Sequence, residues 1–289
     1  MKQFSIQIIL LIFILTMSNR NYGQDELSVL EGPYLGQQPP GLIPKLFAPG
    51  IISTENLEIE GVFAPGMNEF YFTRQVRGNE VKTHAFQYED GVWKKFMDEP
   101  RSGEVFISTD GNTMYLGNKY RERTASGWSE VKSLGPIFEE FPIMRLTASE
   151  DDTYIFDERD EIGTIRYSRL IDGKREESKV LNNEFNTGKQ TGHPYISPDE
   201  SYIIWDSIRE DGYGNADLYI SFRQEDHSWG LAINMGEDIN TEHEDRYGSV
   251  TSDGKYFFFH RIEWQEGKIE KANIYWVDAQ IIEDISPKP

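Results

Sequence analysis

Short apolar runs and short polar clusters alternate along almost the whole chain. Five clusters read as turns: Ala64-Pro65-Gly66, Ser108-Thr109-Asp110-Gly111, Ser149-Glu150-Asp151-Asp152, Ser197-Pro198-Asp199-Glu200 and Thr251-Ser252-Asp253-Gly254. Each leads into an aromatic-rich run: Phe70-Tyr71-Phe72, Met114-Tyr115-Leu116, Tyr154-Ile155-Phe156, Tyr202-Ile203-Ile204-Trp205 and Tyr256-Phe257-Phe258-Phe259. Runs of this length between turn residues predict strands, and no stretch beyond the first residues has helical periodicity.

The turns recur at 41 to 54 residues. A four-stranded unit of a repeat protein takes about 40–50. One residue before each turn lie Phe63, Ile107, Ala148, Ile196 and Val250; twelve before lie Ile52, Phe96, Ile137, Phe185 and Ile239. Both columns are apolar throughout. Third strands are predicted at 84–88, 123–125, 164–168, 217–221 and 273–277, with Trp93, Trp128 and Trp229 opening fourth strands. The last repeat lacks a clear fourth strand, whereas residues 46–52 match that column. The chain is therefore expected to be all-β, a single β-propeller of five four-stranded blades (six being the alternative count), closed by its N-terminal strand. Closure removes exposed sheet edges.

The first residues read differently. Lys2 precedes an apolar run from Ile6 to Met17, shorter than the roughly 20 residues that cross a bilayer. Residues 1–23 are expected to be a signal peptide cut before Gln24, an uncleaved anchor being the alternative. Residues 24–43, with Gly36-Gln37-Gln38-Pro39-Pro40-Gly41, are expected to form an extended arm on the ring, or a tail, and residues 44–289 the propeller. The expected location is periplasmic or secreted, with no membrane-spanning segment after signal removal.

Composition narrows the chemistry. A formal net charge of −20 repels phosphate backbones and argues against nucleic acid. There is no cysteine, which removes disulfides, thiolate metal sites and a cysteine nucleophile.

The segments Asn215 to Ser221, Ser228-Trp229-Gly230, Ile239-Asn240-Thr241 and Ser252 to Phe259, with His193-Pro194-Tyr195-Ile196-Ser197-Pro198-Asp199, resemble the WD-like propeller repeats of TolB-type exported bacterial proteins. The resemblance runs from about Leu57 to Ile282. Gly66 stands where the family usually has Asp, and Glu150 and Asp152 replace its Pro and Gly. It implies a propeller and export. The family's extra N-terminal domain and sixth blade are not expected in this stretch of sequence.

No G-x-S-x-G elbow, phosphate loop or H-E-x-x-H helix occurs. Asp110, Asp199 and Asp253 are expected to be turn formers. The repeat register suggests a site. Four residues before each turn lie Glu60, Glu104, Arg145, His193 and Tyr247, expected to ring the channel mouth. Just past each second strand lie Arg74, Lys119, Arg159, Arg209 and Arg261, a candidate anion-binding face unless neighbours such as Glu158 and Glu263 neutralise them. No catalytic residue is assigned. No cofactor is required, with Ca²⁺ or another divalent metal left open; His193 and His260 are the candidate ligands. The expected function is an exported, non-enzymatic binding or scaffold module for a protein or glycan. The alternative is a propeller hydrolase or lyase acting on acidic polysaccharide.

Overall fold

A computed structural model describes residues 30–287. The predicted signal segment, and with it its cleavage point, lies outside those residues. The strands fall into consecutive antiparallel groups. The first comprises Leu57–Phe63, Glu69–Gln75, Val81–Glu89 and Val92–Pro100. The second has Val105–Ile107, Thr113–Leu116 and Lys119–Thr124, edged by Gly127–Trp128 and Lys132–Ser133. The third has Ile143–Ala148, Tyr154–Glu158, Thr164–Ser168 and Lys179–Val180. The fourth has Lys189–Ile196, Tyr202–Ile208, Asp217–Phe222 and Ile233–Asn234. The last has Glu244–Val250, Tyr256–Gln265 and Lys268–Asp278. Lys45 and Leu46 pair with Trp276 and Tyr275 at its outer edge.

The predicted turns explain the tight hairpins. Asp199 accepts the Ser201 N–H at 3.0 Å, and Asp253 accepts the Thr251 hydroxyl at 2.7 Å. Gly111 and Gly254 supply the positive φ, 75° and 72°, that a side chain would resist. The first strand of each group packs against the first strand of the next, and the last group returns against Leu57–Phe63. All five residues preceding the turns, from Phe63 to Val250, are buried.

Other columns shift. Phe185, Ile239 and Ile52 are buried, but in the first group Phe96 is 39% exposed and Met97 points inward instead. A register slip between Ala85 and Phe86 moves the pleat by one residue, which reverses the face. In the second group Phe138 fills the core beside a half-buried Ile137, because a short helix, Pro136–Glu139, replaces a strand there. Gln280–Ile285 is a second short helix, with Ile282 buried. Neither was legible as periodicity, each being under two turns. The third strand of the second group begins at Lys119, earlier than predicted. Charged residues mask it, and Arg123 holds it by an ion pair to Glu69 and by stacking 3.9 Å from the Trp128 ring. Trp229 makes only an isolated bridge to Arg223; the fourth strand there starts at Ile233.

The Pro/Gly-rich segment lies against the sheets. Leu30 pairs with Trp93, and the Trp93 indole donates to Gly32 O at 2.9 Å. Tyr34 sits 5.2 Å from Tyr256 and 5.5 Å from Trp276.

Candidate functional site

The residues predicted to ring the channel mouth lie where the first strands begin, and four of the five lie at backbone irregularities. Pairing slips between Ile59 and Val62, Ile143 and Leu146, Gly192 and Tyr195, and Arg246 and Ser249. Glu60, His193 and Tyr247 have φ of 61°, 49° and 62°, an unfavourable region for residues with a Cβ. The residues that follow two of these positions are glycines that the close packing requires. A Cβ at Gly61 would lie 2.8 Å from Ile274, and one at Gly248 would lie 2.7 Å from Ile204.

A bulge frees backbone N–H groups, and buried ones must find acceptors. The preceding group's second strand supplies them. Asp157 accepts the His193 N–H at 2.8 Å, Asp206 accepts the Tyr247 N–H at 3.0 Å, and His260 Nδ1 accepts the Glu60 N–H at 3.3 Å. Sequence reasoning missed the two aspartates and read His260 as a candidate metal ligand. The available signal was an acid ending an otherwise apolar strand, in Ile155-Phe156-Asp157 and Ile204-Trp205-Asp206.

The five ring residues do converge, as a packed floor. Arg145 is fully buried, donates to His193 O and Gly248 O at 3.1 and 3.0 Å, and stacks 3.6 Å from the Tyr247 ring. Tyr247 donates its hydroxyl to Val105 O at 2.8 Å. His193 Nδ1 lies 2.8 Å from Asp206 and its Nε2 lies 3.7 Å from Glu104. Arg101, reaching in from solvent, bonds Glu60 at 2.6 Å and Glu104 at 3.2 Å. Thr73 donates to Glu60 at 2.6 Å. Arg145 and Tyr247, which the repeat register places at the channel mouth, are thus core residues.

Charges in this floor tune one another. Burial disfavours His193 protonation, but Asp206 and Glu104 outweigh it and raise its pKa to about 9. Burial, opposed by His193, raises Glu104 to about 7. Asp206 is disfavoured by burial yet held down to about 2 by His193 and Arg246. His260 is kept neutral by burial and by the His193 charge. Its Nδ1, like that of His193, is already engaged by the protein. Among the described residues no three His, Asp or Glu side chains are grouped to hold a metal ion.

The outer cations divide. Arg74 pairs with Glu58 at 2.7 Å and donates to Ile51 O and Ile52 O; Arg261 pairs with Asp245 at 2.7 Å and donates to Ile239 O; Arg209 donates to Glu184 O at 2.6 Å. These three tie the second strand to the turn that ends the preceding fourth strand. They are fastenings within the fold, which corrects the reading of a uniform cationic face. The predicted neutralising acids are also different: Glu158 pairs with Arg166 and Glu263 with Lys271. Lys119 and Arg159 are exposed and make no ion pair among the described residues.

Antiparallel groups whose first strands pack one against the next define the architecture. The fold is a β-propeller. It is similar to the catalytic domain of the GH62 alpha-L-arabinofuranosidase of Coprinopsis cinerea, with 7% identity over 83% of this chain and 97% of that one, at a TM-score of 0.50. A putative TolB from Agrobacterium tumefaciens matches with 14% identity over 78% of both chains, at 0.45, and TolB from Acinetobacter baumannii with 11% identity over 78% of this chain and 57% of that one, at 0.44. These likenesses are of fold. No protein-family model matches the chain, and no curated protein does. No helix among the described residues is long and apolar enough to cross a membrane.

Proposed function

We propose that the chain is an exported propeller of five blades, closed by its N-terminal strand, that binds a protein or glycan partner over the face where the inner strands begin and catalyses nothing. Export is supported by Lys2 and the Ile6–Met17 run. Five blades and closure are supported by the pairing of Lys45–Leu46 with the last group and by its single parallel bridge, Ala272 to Leu57, into the first. One observation carries the binding role. Glu104 Oε2 has no hydrogen-bond partner where the blades converge, and the partly exposed Arg101 covers it from solvent. Buried polar groups are almost always satisfied, so an unmet acceptor beneath a solvent-reaching arginine marks a place for a polar guest. Exposed Lys119 and Arg159 on the same face would meet an anionic portion of the partner.

The test is a glycan array and a capture from envelope extracts, each with and without Ca²⁺ or Mn²⁺, with sugar release measured in parallel. Binding without turnover supports the module. A second reading, a hydrolase or lyase on acidic polysaccharide, draws on Glu104. Its raised pKa beside the Arg101-paired Glu60 gives two carboxyls in unlike environments, the condition for dividing acid and base roles. Release of sugar that Glu104→Gln abolishes would establish that reading instead.

A further inference from the structure

The opposite face carries a second cleft, between the third and fourth groups, with a volume of about 350 Å³. Tyr167 and Trp229, both half-buried, form its aromatic walls, and Val180, 51% exposed, its rim. Trp229 is held in place by an edge contact to Phe185 and by Arg223, whose guanidinium lies 4.8 Å from its ring. The polar lining is dominated by donors. Arg169 uses Nε on Glu176 at 2.7 Å and also contacts it through Nη2, leaving Nη1 open; Arg223 spends only a 3.6 Å contact on Glu200. His227 and Ser228 complete the lip. The acid that lines the cleft, Glu200, is already engaged by Ser149 at 2.8 Å and by Arg223.

In a chain of net charge −20, this cleft is locally balanced, Arg169 facing Glu176 and Arg223 facing Glu200, and both guanidiniums keep N–H groups free for a guest. Arginine offers a planar fork matched to a carboxylate, and aromatic walls favour a ring with an apolar face. The floor is fixed before any ligand arrives: the Ser149–Glu200 bond and the Glu150 N–H to Pro198 O bond, at 2.9 Å, tie the two groups' turns together. We infer that this cleft binds a carboxylate-bearing sugar, its ring against Trp229 and Tyr167 and its carboxylate on Arg169 and Arg223. The site is separate from the channel mouth and stands independently of the reading given for it.

The experiment is isothermal titration of the full chain with a glucuronic-acid disaccharide, the matching glucose disaccharide, and benzoate. The acidic disaccharide should bind, and more weakly as salt rises. The neutral one should bind at least about tenfold more weakly, as expected on losing a charge-assisted hydrogen bond. Arg169→Ala and Arg223→Ala should each weaken binding about tenfold or more with the melting temperature nearly unchanged. No binding of the acidic disaccharide overturns the site. Equal affinity for the neutral disaccharide overturns the carboxylate contact, and equal affinity for benzoate overturns the sugar. Loss of binding in Arg159→Ala but not in Arg169→Ala would assign the ligand to the mouth face and overturn this cleft.

Discussion

The two ends of the central channel are built from the same inner strands, three residues apart, yet they obey different rules. Where the strands begin, Glu60, Glu104, Arg145, His193 and Tyr247 form an ionic floor. Where they end, Phe63, Ile107, Ala148, Ile196 and Val250 surround a cavity of about 30 Å³. The pleat is regular at the apolar end, so its side chains need only fill space. At the polar end the bulges free backbone N–H groups, and buried Asp157 and Asp206 must be present to receive them. Asp206 is in turn paired with His193 and Arg246. A backbone irregularity has thus drawn a charge network into the middle of the fold.

The largest effect should come from breaking that network at its hub. Asp206→Ala takes the acceptor from the His193 ring and the Tyr247 N–H and leaves the buried Arg246 with Glu244 as its carboxylate partner. Chemical denaturation should register a loss of about 3–5 kcal/mol, the usual cost of orphaning a buried charge. A loss below about 1 kcal/mol would mean the floor is not under mutual constraint.

At the apolar end Ile196→Ala should cost about 2–4 kcal/mol through lost burial and the cavity it leaves. It should do so equally at pH 5 and pH 9, because no titrating group is involved. A pH-dependent penalty would show that the two ends are coupled.

The pH response of the unaltered protein sharpens the contrast. His193 has its folded pKa raised to about 9 from an ordinary 6.5, so its stabilisation is complete below 6.5 and lost as pH rises through 9. Glu104, raised to about 7, makes the native state retain a proton that the unfolded chain releases near 4.5, so stability also declines between those values. Asp206 acts oppositely, its contribution vanishing only as pH falls through about 2. Melting temperature should therefore fall from pH 5 to pH 9.5, and His193→Gln should remove the upper part of that fall. A flat profile would contradict the assigned charges.

Arg159→Ala should produce the smallest change, within about 0.5 kcal/mol, as for any exposed unpaired cation. Arg261→Ala at the repeat-equivalent position should cost more, because it leaves buried Asp245 unpaired. Equal effects at the two positions would restore the single cationic face that the sequence register suggests.

The repeat, its turns and its strand order were legible in the chain itself. Ser-Thr-Asp-Gly turns and aromatic runs act locally, and their recurrence at one blade's length needs no knowledge of neighbours. The column of Glu60, Glu104, Arg145, His193 and Tyr247 was legible too, since equivalent positions in a repeat meet at one axis. Their surroundings were not. Whether Arg145 faces solvent or lies beneath Tyr247 depends on the bulges at 143–146 and 246–249, the second of which brings Gly248 close against a side chain from another strand. Whether Arg74, Arg209 and Arg261 are free depends on turns some twenty residues away in sequence that happen to present carbonyl oxygens. Phe96 and Met97 exchanged places because a one-residue slip on one strand reverses the sheet face. Periodicity is a property of one strand and can be read from it. Burial, charge state and hydrogen-bond partnership belong to pairs of strands, and the packing of one sheet against the next decided them.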